Sequence, residues 1–164
     1  MVKKSVPRFS ILREPVDVQT LRYCGFINAF TYRVEFEDDR PSGYARLHLE
    51  DAGLRLDLPN HEPLVKAGVH AGDVLATIAL FYPNGDETVF SPRNSVGGYN
   101  EAALSRFARQ GVGTRVLQQL VEDSLEHDAR VLYTFTWQRA MKNFLRKHQF
   151  TAYNTSMPAF YKLL

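Results

Sequence analysis

Hydrophobic and polar positions change period once along this chain. From 28 to 37 (NAFTYRVEFE), Phe30, Tyr32, Val34 and Phe36 occupy alternate positions, the spacing of a half-buried strand. The stretch 38–43 (DDRPSG) supplies turn chemistry, and Tyr44 to Leu49 and Leu54 to Leu58 then alternate again, which predicts two further strands. Asp73 to Tyr82 is a long apolar run. A buried strand or a short helix fits such a run, and the turn signal Pro83-Asn84-Gly85-Asp86 behind it favours the strand. Glu87 to Phe90 reads as a returning strand and Pro92 to Asn100 as a loop.

Beyond that loop the period lengthens. Val112, Val116, Leu117, Leu120, Val121 and Leu125 lie on one helical face, with Arg115, Gln118, Gln119, Glu122 and Asp123 on the other. Val131 to Thr136 is strand-like. A second helix is predicted from Gln138 to about His148, with Met141, Phe144, Leu145 and His148 on one side. Phe150 to Asn154 and Ala159 to Leu164 read as closing strands. Strands first, then helix, strand, helix, strand and strand predict a mixed α/β (α+β) domain, with helices flanking one sheet.

A length of 164 residues suits one domain, with a strand-rich first half (1–93) and a second half (101–164) of different character. The net charge of +2 is too small to argue for a nucleic-acid partner. No apolar run reaches the ~20 residues of a membrane-spanning helix. Met1 to Ser10 lacks the apolar stretch of a secretory signal, so a cytoplasmic location is the expectation. The single cysteine, Cys24, sits among apolar neighbours as a buried thiol would, and it can form neither an internal disulfide nor a thiolate cluster. His48, His61, His70, His127 and His148 are dispersed, without an i, i+4 pair, so no metal site is expected.

The segment Arg109-Gln110-Gly111-Val112-Gly113-Thr114 stands at the mouth of the first long helix. Glycines at alternate positions let a ligand approach the main chain. The free N–H groups and partial positive charge of a helix start suit a phosphate or pyrophosphate. Arg109, with Arg106 and Arg115 less directly, could add charge-assisted bonds. A plain glycine-rich turn into a surface helix is the simpler reading of the motif alone. No Gly-Lys-Ser/Thr follows it, and the three-glycine dinucleotide spacing is absent.

From Arg109 to Phe150 the chain resembles the acyl-CoA-binding core of GNAT-type N-acyltransferases. In that family a Gln/Arg-x-x-Gly-x-Gly/Ala loop opens a helix, and a strand follows. Next come a helix patterned Asn-x-x-Ala-x-x-x-Tyr-x-x-x-Gly-Phe and closing strands. Gly111, Gly113 and Phe150 match, and Ala159 to Leu164 is similar to the last strand. The resemblance is confined to the C-terminal half. It implies a GNAT-like, mostly antiparallel mixed sheet flanked by helices, and acetyl-CoA or another acyl-CoA as cosubstrate without a metal. Gly111, Val112, Gly113 and Thr114 would hold the pyrophosphate with Arg109 and Gln110, and Gln138 would lie near the pantetheine arm. The implied partners are the acyl-CoA and a small-molecule or protein amine, with a homodimer left open.

Ala108, Gln138, Met141 and Gln149 depart from the pattern, and Leu145 stands where the family's proton-donating tyrosine lies. The implied activity is acyl transfer to an amine. The alternative is an inactive protein of the same fold that binds acyl-CoA or a partner. Leu104-Ser105-Arg106-Phe107 is also similar to a Ser-Arg-Phe segment of acyl-homoserine-lactone and N-acyl amino acid synthases, although Ala103 replaces their acid.

Acyl transfer needs a deprotonated amine and a proton for the departing thiolate. Tyr153 and Tyr161, with Tyr133 on the strand before them, are the candidate donors, and Glu87 or Asp86 the candidate base. Strand tyrosines more often serve as amphipathic core, and acids in a turn are more often merely solvated. His70 is a loop histidine that could act as a base. Arg139, Lys142, Arg146 and Lys147 put four cations on the second helix. Because Phe144 falls on its apolar side, a solvated basic face is expected there rather than a nucleic-acid surface.

Overall fold

The alternating stretches pair into one sheet of seven strands in the order β1-β2-β3-β4-β5-β7-β6. They are β1 (Phe9–Pro15), β2 (Phe26–Phe36), β3 (Gly43–Asp51), β4 (Val74–Pro83), β5 (Ala129–Phe135), β6 (Thr151–Asn154) and β7 (Pro158–Leu163). Every neighbouring pair is antiparallel except β4 and β5. The computed structural model describes residues 8–20, 25–38, 42–83, 111–154 and 157–164. The expected strand Glu87 to Phe90, the loop Pro92 to Asn100 and Cys24 lie outside them.

Antiparallel neighbours need only short turns, whereas the parallel pair requires a crossover. The described part of that crossover is α3 (Val112–Glu126). Among the described residues the other helices are α1 (Ala52–Leu56), α2 (Glu62–Lys66) and α4 (Arg139–Lys147), with a 3-10 turn at Val18–Thr20.

Alternation along the strands sorts the side chains into two cores. Phe30, Tyr32 and Val34 of β2, Ala45, Leu47 and Leu49 of β3, and Leu132 of β5 pack beneath α3 and α4 on one face. There they meet Val112, Val116, Leu117 and Leu120 of α3 and Leu145 of α4. The second core, on the opposite face, is smaller and covers the later strands. Leu75, Val131, Tyr133 and Ala159 meet Ala52, Leu64 and Val69 there, with Leu56, Tyr153 and Tyr161 at its edge.

Two expectations are corrected. The alternating Leu54 to Leu58 is no strand: α1 occupies Ala52–Leu56, and Asp57 N–H donates to Gly53 O at 2.9 Å. Asp51 sets that turn, accepting from Gly53 N at 2.7 Å and Gly72 N at 3.0 Å, so the side chain caps the helix and ties it to a distant loop. Of the three leucines only Leu56 packs into the core, while Leu54 and Leu58 are exposed. Asp123 does not sit on the solvent side of α3. It is buried against β2, where Tyr32 Oη donates to it at 2.6 Å, and Leu125 is the residue left exposed.

The end of α4 is a Schellman motif: Phe150 N–H donates to Leu145 O and Gln149 N–H to Arg146 O, both at 3.0 Å. Gln149 takes the left-handed conformation this requires (φ 67°). That position is the glycine of the family pattern.

Candidate active site

The parallel pairing is short. β4 and β5 share four rungs, from Val74–Ala129 to Thr77–Tyr133. Beyond them β4 stays on β3 as far as Pro83, and β5 stays on β7 as far as Phe135. Among the described residues the two strands therefore part at Thr77 and Tyr133, leaving main-chain polar groups along a gap in the middle of the sheet. Because α3 runs back between parallel strands, its N-terminus lies at the end where they part.

Gly111 caps α3 in the left-handed conformation (φ 78°); it has no side chain to bond the first turn, and that turn holds no acidic residue. The start of α3 thus presents N–H groups and a positive partial charge. Gly113 lies against α4, where an added Cβ would meet the Phe144 ring at 3.3 Å. Thr114 Oγ1 is 3.4 Å from His148 Nε2, and the His148 ring stacks on Phe144. His148 therefore packs between the helices, as its position on the apolar face suggested. Arg115 turns away from the helix start, with its guanidinium over the Phe9 ring at 4.4 Å. Arg109, Gln110 and Arg106 lie outside the described residues, as do Glu87 and Asp86. Gln138 caps α4 and donates its N–H to Thr136 Oγ1 at 3.1 Å, just past the end of β5.

On the opposite face, at the foot of the gap, polar groups collect. Tyr133 shares the last rung with Thr77. Tyr161 sits opposite Tyr133 on β7, and Tyr153 comes from β6 at the edge. The three rings form a chain, with centroids 6.4 Å apart for Tyr133–Tyr153 and 5.8 Å for Tyr153–Tyr161. His61, at the start of α2, turns its ring to this cluster, and its Nδ1 is 2.8 Å from Tyr153 Oη. Burial holds the imidazole below its ordinary value, helped by Arg55, so His61 is neutral near pH 7. Burial, and then the neighbouring Tyr133, push the Tyr153 hydroxyl far above the usual phenol range. Tyr153 therefore keeps its proton until a strong base forms beside it.

Two further groups complete the cluster. Glu50 of β3 is fully buried and accepts from Arg55 Nη2 at 2.9 Å. Thr77 Oγ1 reaches the same oxygen at a long 3.5 Å. The Arg55 guanidinium lies over the Tyr133 ring, 4.7 Å from its centroid.

Of the sequence candidates, then, Tyr133, Tyr153 and Tyr161 are brought together at the gap, and Gly111 to Thr114 lie at its mouth. Glu50, Arg55 and His61 were missed as site residues. Glu50 and His48 share the polar stripe of an alternating strand, which reads as a solvent face. Arg55 lies in the stretch misread as a strand. The exposed His70 bonds through its backbone, its N–H donating to Asp73 Oδ2 at 2.9 Å and its carbonyl accepting from Asp73 N–H at 3.1 Å. Among the described residues no three His, Cys, Asp or Glu converge on a point, and no helix is long and apolar enough to cross a membrane.

No protein-family model matches this sequence, and no curated protein does. Solved structures do. The chain is similar to FeeM, an N-acyl amino acid synthase from uncultured soil microbes, at 16% identity and a TM-score of 0.52. The match covers 96% of this chain and 91% of that one. It is more loosely similar to a putative streptothricin acetyltransferase from Bacillus anthracis str. Ames, solved with acetyl coenzyme A, at 12% identity and a TM-score of 0.39. That match covers 94% of this chain and 97% of that one. The fold is of the GNAT type, a mostly antiparallel sheet with one parallel pair, flanked by helices. The likeness runs across nearly the whole chain, whereas the sequence resemblance stops at the C-terminal half.

Proposed function

We propose that this chain is an N-acyltransferase, moving an acyl group from an acyl-CoA thioester to an amine. The observation that carries this reading is the gap between β4 and β5, which has a helix start at its mouth on one face and a protonated Tyr153 at its foot on the other. A long ligand with phosphates at one end and a thioester at the other suits that path. The first N–H groups of α3, at Val112, Gly113 and Thr114, would receive the pyrophosphate, with Arg109 and Gln110 assisting. The parted strands would offer main-chain partners to the pantetheine amides, near Gln138.

In the reaction the amine nitrogen, freed of its ammonium proton, attacks the thioester carbonyl carbon. The C–N bond forms, the C–S bond breaks, and the sulfur takes the Tyr153 proton. The new amide nitrogen sheds a proton that restores Tyr153, and one proton per turnover goes to solvent. Desolvation raises the basicity of the departing thiolate as it raises that of the phenolate, which offsets the loss of acidity that burial imposes on Tyr153. With its proton on Nδ1, His61 donates to the phenolate oxygen and steadies it. Leu145 takes no part, since its side chain is buried in the first core.

The acceptor is an amine, and the likeness to a synthase named for N-acyl amino acids makes an amino acid the class to test first. The cytoplasm is the proposed location. Tyr153→Phe should lower the rate of CoA release by about 10²- to 10⁴-fold, with acyl-CoA binding retained. Unchanged turnover would remove Tyr153 from the mechanism. The second reading, binding without catalysis, is favoured by Leu145 at the family's tyrosine position; saturable acyl-CoA binding without CoA release to any amine would establish it.

A further inference from the structure

We infer that Glu50 and Arg55 together read the two charges of an α-amino acid, which makes them the specificity residues for the acceptor. The inference rests on the acyltransferase reading and deepens it at the same site. Glu50 and Arg55 come from the end of β3 and from α1, and both side chains turn to the foot of the gap, beside Thr77 and Tyr133.

Their bonding is incomplete in a particular way. Among the described residues, three buried side-chain polar atoms have no hydrogen-bond partner: Arg33 Nε, Glu50 Oε2 and Arg55 Nε. Arg33 Nε has an ion-pair neighbour in Glu35 at 3.2 Å, on the half-exposed side of β2. The other two belong to one ion pair. Leaving a charged group's atom buried and unpaired is costly, so such atoms call for a partner that the described residues do not supply. Here one orphan is an acceptor on an anion and the other a donor on a cation.

A ligand that satisfies both must carry a donor cation and an acceptor anion a short distance apart. The α-ammonium and α-carboxylate of an amino acid meet that description. The ammonium would donate to Glu50 Oε2, and the carboxylate would accept from Arg55 Nε. Arg55 lies over the Tyr133 ring, and its planar donors suit a carboxylate better than a lysine ammonium would. Tyr133 marks the last rung before the strands part, so an amine bound at Glu50 lies on the floor of the proposed path. A plain amine would leave Arg55 Nε unsatisfied, and such sites reject analogues that lack the expected partner.

The test is titration calorimetry on the full chain with L-leucine and L-tyrosine. Each is compared with its carboxylate-free counterpart (isopentylamine, tyramine) and its amine-free one (4-methylpentanoate, 3-(4-hydroxyphenyl)propanoate). At least one amino acid should bind, and removing either charge should weaken it by tenfold or more. Arg55→Lys should abolish discrimination against the decarboxylated amine, and Glu50→Gln discrimination against the amine-free acid. Tyramine or isopentylamine binding as well as its amino acid would overturn the inference, as would amino acids failing to bind at all. If the single variants unfold, the wild-type comparison decides alone. Because binding is read without turnover, two-charge recognition with no CoA release to any amine would sink the acyltransferase reading and leave this assignment standing.

Discussion

Tyr32→Phe removes one hydroxyl from the interior and should cost far more than a surface change. Tyr32 is fully buried and donates to Asp123 Oδ2 at 2.6 Å, and Asp123 is itself buried in the last turns of α3. The carboxylate keeps Gln119 Nε2 at 3.1 Å and the partly exposed Arg13 Nη1 at 3.3 Å. Burial, then the bond to Asp123, hold the phenol far above its ordinary range, so the donor is always protonated near neutrality. A hydrogen bond to a charged group contributes ~1.5–3 kcal/mol. With two donors left to Asp123, a loss of about 2 kcal/mol is expected. For a chain of this length that lowers Tm by roughly 4–8 °C. Urea denaturation should show a lower midpoint at unchanged slope. A cycle with Asp123→Asn should give a coupling of about 1–2 kcal/mol. A cost below about 0.5 kcal/mol for Tyr32→Phe would refute the claim that this bond clamps α3 onto β2.

Two other predictions concern stability. Burial, then Arg46, lower His48 to about 4 from 6.5, so between those values the unfolded chain binds a proton that the folded chain refuses, and stability falls as pH falls. The difference between pH 7.5 and 4.5 is about 2.5 kcal/mol from this group. Melts at the two pH values should show His48→Gln losing correspondingly less than wild type, and equal losses would exclude His48 as the source. Gln149→Gly, relieving the left-handed residue after α4, should stabilise by about 0.5–1 kcal/mol, whereas Gln149→Val should destabilise. Matched midpoints for the two in urea would contradict the assigned conformation.

Much of the architecture was legible in local pattern. The Phe30, Tyr32, Val34 alternation and the Val112 to Leu120 stripe each follow from one periodicity facing one core, and each is buried as that periodicity requires. The start of the first long helix was legible because Gly111 immediately precedes its apolar stripe, and the helix begins there. Leu54 to Leu58 misled because apolar residues two apart fit a strand, while the determinant of the helix is Asp51, a cap that also reaches Gly72 across the chain. Asp123 looked solvent-facing because its partners, Tyr32 and Arg13, lie about a hundred residues earlier. The face proposed to carry the chemistry was the least legible part. Tyr153 could be suggested by type, but its pairing with His61 and its position near Arg55 arise from the packing of α1 and α2 against strands about ninety residues further along the chain. No spacing within the sequence records those meetings.

The central claim is that an acyl-CoA threads the gap from the start of α3. The most direct measurement is titration of acetyl-CoA, and then a longer acyl-CoA, against the fluorescence of Trp137, which is 63% exposed just beyond the end of β5. Thermal melts run alongside, with Thr114→Glu as the comparison. A glutamate in the first turn suits the helix dipole but repels a phosphate, so the variant should fold as well as wild type. The account predicts a saturable fluorescence change and, at 100 times the Kd, a stabilisation of about 2.7 kcal/mol, with both lost in Thr114→Glu. A folded wild-type protein silent in both signals toward both thioesters would contradict it.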